Sequence, residues 1–373
     1  LHHVPTETIT TAPDLPQPPP RPRKAGAIVL KLGLMSVALL IALLVSEFAV
    51  RILRPQLPSW LDVFAVSEAP PYTLQKNAVR KLSTGEADWR IYTDATGFRC
   101  ADPASAPPAG ADTPILMVLG DSYPFGMGVD YEQSFPGVMQ KSLDGRYRII
   151  NTGVPGYGPT QYRQVLEREL AAGMPIKMVV VSTYMGNDFH DCIWNKKIAV
   201  TDGILGNEKS LRSFLKRKSH LYRLATSSMH SLAQPKLKGQ LHHDELYREA
   251  DWQSGDLKRA IEIYRTEIGK IAELCRSRNI PVVGCIIPTP MSVQQAGTAA
   301  TQPADPQRPQ YDLPARQATD AFIQAGIPAV DLTAALAAKG ADKTFFAWDQ
   351  HLNVAGNAIA AGAILDALPA FKK

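Results

Sequence analysis

The chain reads as an α/β protein: a parallel sheet covered by helices on both faces, preceded by one membrane-crossing helix. Three observations predict this. From residue 115 onward, short β-branched runs alternate with helical patterns, as they do when parallel strands are joined by crossover helices. The run Ile115–Leu119 is wholly apolar and stops at Gly120-Asp121-Ser122. That is how a buried central strand delivers polar groups to the C-terminal edge of an open sheet. Residues 32–46 carry no charge, and with their flanks they span a bilayer core of roughly 30 Å.

Composition bounds the rest. The 373 residues, 45% hydrophobic and 20% charged, suit one large globular domain with appendages. Four cysteines with no C-x-x-C spacing exclude a disulfide scaffold and a cysteine metal or redox centre. In an oxidising compartment one bridge is available, and Cys100 with Cys192 is the pair expected. Cys275 and Cys285 fall in a predicted helix and strand core and are expected as buried thiols. Gly153, Gly156 and Gly158 do not fit G-x-G-x-x-G. No phosphate loop is visible either, and no cofactor is expected.

Residues 1–24 are crowded with Pro and Thr and include Pro18-Pro19-Pro20, so an extended or polyproline tail is expected. Residues 25–53 form the transmembrane helix, with Lys31 and Glu47 at its margins. It shows no amphipathic face, against a soluble core helix. No small-x-small site follows, against a cleaved signal peptide. Arg21, Arg23, Lys24 and Lys31 on one side outnumber Arg51 and Arg54 on the other. That bias puts the tail in the cytoplasm and everything after residue 50 outside.

Residues 54–113 are a connector expected to pack on the main domain, with residues 89–93 and the turn at Gly97 fitting edge strands, and 101–111 a linker. The α/β domain, 114–373, then runs in order. Helices are predicted at 133–143, 159–172, 255–278, 312–325 and 354–368, and strands at 147–151, 177–184, 281–287 and 329–332. An insertion at about 190–254 breaks the alternation. Residues 196–238 hold ten Lys or Arg against Asp202 and Glu208, and Leu211, Phe214, Leu215, Leu221, Tyr222 and Leu224 give an apolar side. Two readings stand: a solvated helical cap, or a basic amphipathic helix facing anionic headgroups or an acidic partner. A nucleic-acid partner does not suit a domain outside the cytoplasm. His242-His243-Asp244-Glu245 offers ligand types but has no second cluster, so no metal is expected.

The strand ends carry the chemistry. Gly120-Asp121-Ser122 lacks the second glycine of a G-x-S-x-G elbow, because Pro124 stands there. The next strands end in Asn151-Thr-Gly-Val-Pro-Gly156 and Gly186-Asn187-Asp188, and Asp349-Gln-His351 precedes the last helix. In kind and order these blocks resemble the SGNH (GDSL-like) hydrolase family, over about residues 114–368. The resemblance implies a flavodoxin-like sheet, Ser122 as nucleophile, and Ser122, Gly156 and Asn187 as oxyanion donors. It implies His351 as base and Asp349 as acid. The family's usual spacing is Asp-x-x-His; Asp-x-His occurs in its carbohydrate acetyl-esterase and acetyltransferase-like branches. A single transmembrane helix before such a domain is familiar in bacterial members, which implies a periplasmic domain on the cytoplasmic membrane.

The residues support that chemistry on their own terms. A serine hydroxyl needs a base, and neutral imidazole suits it near pH 7. His351 is the only histidine in the C-terminal third, with Asp349 placed to orient it. His190 follows Asn187 closely enough to line the site or to stand beside it. The expected function is an extracytoplasmic serine esterase or acyltransferase, acting on an acyl ester such as an O-acetylated glycan. The competing reading is a structural subunit of a larger membrane complex, with an idle hydrolase-like domain.

Overall fold

The computed structural model describes residues 24–104, 113–194, 199–206, 211–233, 244–296 and 309–369. The chain divides into two units, Leu1–Pro55 and Gln56–Lys373. The first holds α1 (Lys24–Leu53), 30 residues and so about 45 Å long. Its apolar side chains are exposed along the helix, and it is long and apolar enough to cross a membrane. The Pro-rich stretch before Lys24 lies outside the described residues.

The second unit opens with an antiparallel hairpin, β1 (Phe64–Val66) on β2 (Tyr72–Leu74). Next come β3 (Val79–Ser83), β4 (Asp88–Thr93) and β5 (Arg99–Cys100), then β6 (Ile115–Leu119), β7 (Arg148–Asn151) and β8 (Ile176–Tyr184). A small hairpin, β9 (Val200–Thr201) and β10 (Ile204–Leu205), sits in the insertion, and β11 (Val282–Ile287) and β12 (Ala329–Asp331) follow. Eight strands make one sheet in the order β12-β11-β8-β6-β7-β5-β4-β3. The five from β7 to β12 are parallel. Taken alone they run second, first, third, fourth, fifth in chain order, the flavodoxin-like arrangement. The order reverses between β6 and β8, and such a switch point opens a crevice beyond the strand ends.

All five residues of β6 are buried, and they alternate between two cores. Ile115, Met117 and Leu119 face one with α4 (Pro159–Ala171), α8 (Gly255–Arg276) and α10 (Leu313–Ala325). Leu116 and Val118 face the other with α3 (Phe135–Leu143) and α13 (Val354–Ala367). The wholly apolar run of β6 follows from being covered on both sides.

The connector joins this sheet antiparallel to its parallel part. β4 is paired on both sides, so the edge position expected for residues 89–93 belongs to β3. Arg99 is buried and stacks 5.1 Å over Trp89 and 4.7 Å over Phe125. It donates to the carbonyls of Phe125, Gly126 and Val129. Burial lowers its pKa to about 10, still cationic at neutral pH, so it staples the connector to the chain after Ser122.

In the insertion, α6 (Leu211–Lys218) and α7 (His220–Ala233) are separate helices. Arg223 stacks 5.1 Å over Trp60 and donates to the Gln56 carbonyl at 3.0 Å. Arg217 pairs with Asp202 at 3.0 Å. Part of its basic charge is therefore spent on the domain, while Leu211 and Phe214 stay exposed. Lys196, Lys197, Lys209, Lys236, Lys238, His242 and His243 lie outside the described residues.

All four cysteines are free, which corrects the expected Cys100–Cys192 bridge. Cys100 belongs to β5, within the sheet between β4 and β7. Cys192 belongs to α5 (Asp188–Trp194) and is buried in the core with α8.

Candidate active site

β6 ends in one helical turn, α2 (Ser122–Phe125), capped by the Asp121 carboxylate, which accepts the Tyr123 N–H at 3.0 Å. Ser122 is thereby lifted to the C-terminal edge of the sheet at the switch point. His351 Nε2 lies 2.8 Å from Ser122 Oγ, and His351 Nδ1 contacts Asp349 Oδ1. With Nδ1–H donating to the carboxylate, Nε2 is left to accept the serine proton. The structure thus brings together three of the predicted residues that lie 229 positions apart at their widest.

The one-residue spacing is made by Gln350, at φ +64, a left-handed conformation unusual for a residue with a Cβ. It turns the chain so that Asp349 meets Nδ1 of the His351 ring while Nε2 meets Ser122. Tyr123 donates its hydroxyl to the Gln350 carbonyl at 3.1 Å, and its ring lies 4.9 Å from the His351 ring. Desolvation alone would lower the His351 pKa. The hydrogen bond and charge of Asp349, with the charge of Asp121, outweigh it and raise the imidazole above its ordinary value.

Asn187 stands three residues beyond the end of β8, in the lining that it shares with Ser122. Its amide nitrogen donates to Asp191 at 2.6 Å, one turn on in α5, which holds the amide in place. Behind it lies a layer of three carboxyls. Burial raises Asp121 to about 6 and, together with the charge of Asp121, Asp191 to about 7. Burial and both neighbours push Asp188 well above the carboxylate range, while it accepts from Tyr162 at 2.9 Å and from the Tyr184 N–H at 3.1 Å.

Ser122, Asn187 and His351 open into a cavity of about 300 Å³ walled by Tyr184, Leu246 and Tyr247. Leu246 and Tyr247 come from the insertion, and the Tyr247 hydroxyl is tied to Thr289 at 2.7 Å. Gly156, the third expected oxyanion donor, is exposed at φ +83 beside the Tyr72 hydroxyl and is not part of that wall. The glycine packed on the nucleophile turn is Gly153, where a Cβ would stand 2.6 Å from the Phe125 nitrogen. His190 faces Glu245 at 3.2 Å and is likewise outside the wall. A second cavity of about 150 Å³ shares Asp349 and is lined by Trp60, Trp89 and Trp348 with Ser83 and Thr84. Among the described residues no cluster could hold a metal ion.

Sequence reasoning missed Gly153, Asp191 and Tyr123. Asp191 had a usable signal, an acid four residues after Asn187 on one helical face. Gly153 had none beyond its place after a strand.

The GDSL-like Lipase/Acylhydrolase family matches residues 118–359. Comparison with curated proteins gives no match. Similar solved structures include a carbohydrate acetylesterase family member from Sinorhizobium meliloti: 13% identity, 67% of this chain and 95% of that one covered, TM-score 0.36. A member of the lipolytic protein G-D-S-L family from Veillonella parvula DSM 2008 gives 14%, 68%, 97% and 0.35. The α/β hydrolase LAE5 from the metagenome of Lake Arreo, Spain, gives 11%, 69%, 95% and 0.38.

Proposed function

Because the chain belongs to the GDSL-like lipase/acylhydrolase family, we propose that it is a serine acyl-ester hydrolase or acyltransferase, anchored in a membrane by α1. The observation that carries this reading is the 2.8 Å approach of His351 Nε2 to Ser122 Oγ, with Asp349 behind the ring. Ser122 Oγ attacks the acyl carbonyl while His351 takes its proton, and Asp349 stabilises the imidazolium. The Ser122 N–H and the Asn187 amide receive the oxyanion. His351 then returns the proton to the departing alcohol. Water, or an acceptor hydroxyl in transfer, releases the acyl group from Ser122.

The site faces the periplasm, with the N-terminus in the cytoplasm, on the charge bias around α1. An O-acetylated glycan is the substrate class that the second cavity favours: three of the chain's five tryptophans line it beside Asp349, Ser83 and Thr84, and an aromatic lining with a few polar groups is the make-up of a small-ligand site. The alternative, an idle domain in a membrane complex, is disfavoured by a triad assembled within hydrogen-bond reach.

The test is p-nitrophenyl acetate hydrolysis by the detergent-solubilised chain. Ser122→Ala is expected to abolish turnover, and Asn187→Ala to lower kcat by about 10²–10³. Undiminished turnover in Ser122→Ala would sink the mechanism.

A further inference from the structure

The connector meets the backbone of the Asp349 turn through the link between β3 and β4. β3 and β4 are joined by a tight turn closed by the Thr84 N–H on the Ala87 carbonyl at 3.0 Å. Within it, Thr84 Oγ1 accepts the N–H groups of Glu86 and Ala87 at 3.3 and 3.1 Å. The turn is thus held independently of what its tip touches. Its tip is Glu86. One carboxylate oxygen accepts the Ala347 N–H at 2.7 Å, and the other accepts those of Trp348 and Asp349 at 3.0 and 2.9 Å. Three successive amides converge on one carboxylate, an anion nest filled from a part of the chain about 260 residues away.

We propose that Glu86 is a positioning residue for the active site: it clamps the backbone of 347–349 so that Asp349 stays in reach of His351. The proposal rests on the triad reading above. The Asp-x-His turn needs such a clamp because Gln350 at φ +64 is strained, and a strained turn persists only where its surroundings over-determine it. Tyr123 holds the turn on the Gln350 carbonyl, and the Phe346 N–H closes it on the His351 carbonyl at 2.9 Å. Neither fixes Asp349 itself. The Glu86 bonds do, and charge-assisted bonds are roughly twice as strong as neutral ones. Glu86 also lies outside the matched region, 118–359, so this clamp comes from the connector.

The experiment measures p-nitrophenyl acetate kinetics of the full chain and its Glu86→Ala, Glu86→Gln and Ser122→Ala variants, with thermal melts alongside. Glu86→Ala is expected to lower kcat about 10- to 100-fold with KM within about twofold, the scale of a misplaced reacting group. Glu86→Gln, keeping one acceptor oxygen, should fall between it and wild type. His351 is faced by Asp349, Asp121 and Tyr123, and of these only Asp349 is held by Glu86. Loosening Asp349 should therefore move the acid limb of the pH profile downward in Glu86→Ala. Wild-type kcat and an unmoved limb in Glu86→Ala, with Ser122→Ala inactive, would overturn the clamp alone. A lower kcat with an unmoved limb and a lower melting temperature would reduce Glu86 to a structural staple and overturn it too. Activity in Ser122→Ala would bring down the triad reading and the clamp with it.

Discussion

Two opposed effects meet on the His351 ring. Burial favours the neutral imidazole that a general base must be, and Asp349 favours the imidazolium that forms after proton transfer. Asp349 prevails, so the acid limb of kcat/KM is expected above the ordinary imidazole value of about 6.5. Activity falls as pH drops through that limb, because protonated His351 cannot accept from Ser122. Asp349→Asn removes the charge that raises the ring. The limb should then move to lower pH while kcat falls by about 10⁴, the cost of a misheld tautomer. A pH profile of the variant with its limb unmoved would separate Asp349 from His351.

At the scale of elements, the site is a meeting of strand ends. β6 supplies Ser122 through α2, the turn after β8 supplies Asn187, and the turn after β7 braces α2 from the side. That brace is Gly153, whose missing Cβ leaves room for the Phe125 nitrogen at 2.6 Å and the Asp121 carbonyl at 2.9 Å. Backbone has nowhere to yield there. Gly153→Ala should push α2 out of line, lowering turnover about 10²-fold and stability by about 1–3 kcal/mol. Gly362→Ala is the contrast: it lies in α13 with nothing within 4 Å of an added Cβ, and should be neutral or stabilise by about 0.4–1 kcal/mol. Equal effects of the two on denaturation midpoint would refute the packing argument.

For the whole molecule, the division falls at Pro55. The first unit offers α1, apolar on all sides, which has no soluble face to bury and suits lipid. The second contains the sheet, both cores and the candidate site. The full chain is expected in the membrane fraction, retained through high-salt washing and released by detergent. Deleting residues 1–55 should move it to the soluble fraction with ester hydrolysis intact. A salt-released full chain would point to surface attachment instead.

Much of this was legible in the sequence because it is written locally. Strand and helix follow from periodicity, so β6, β7, β8, β11 and β12 fall within a residue or two of their expected places, and the apolar length of α1 is visible at once. Ser122, Asn187 and His351 stand at strand ends or before a helix, where an open sheet exposes its chemistry. What tertiary structure decided are pairings between distant segments, for which one sequence holds no signal. β3, two-sided β4 and the Arg99 staple arise from hydrogen bonding and stacking across the fold. The left-handed Gln350 turn, which lets Asp349 reach His351 at a short spacing, depends on contacts from Tyr123 and Glu86. The free Cys100 and Cys192 follow from their elements lying apart. Local propensity sets which segments become elements; only packing sets which side chains meet, because a contact's free energy belongs to both partners at once.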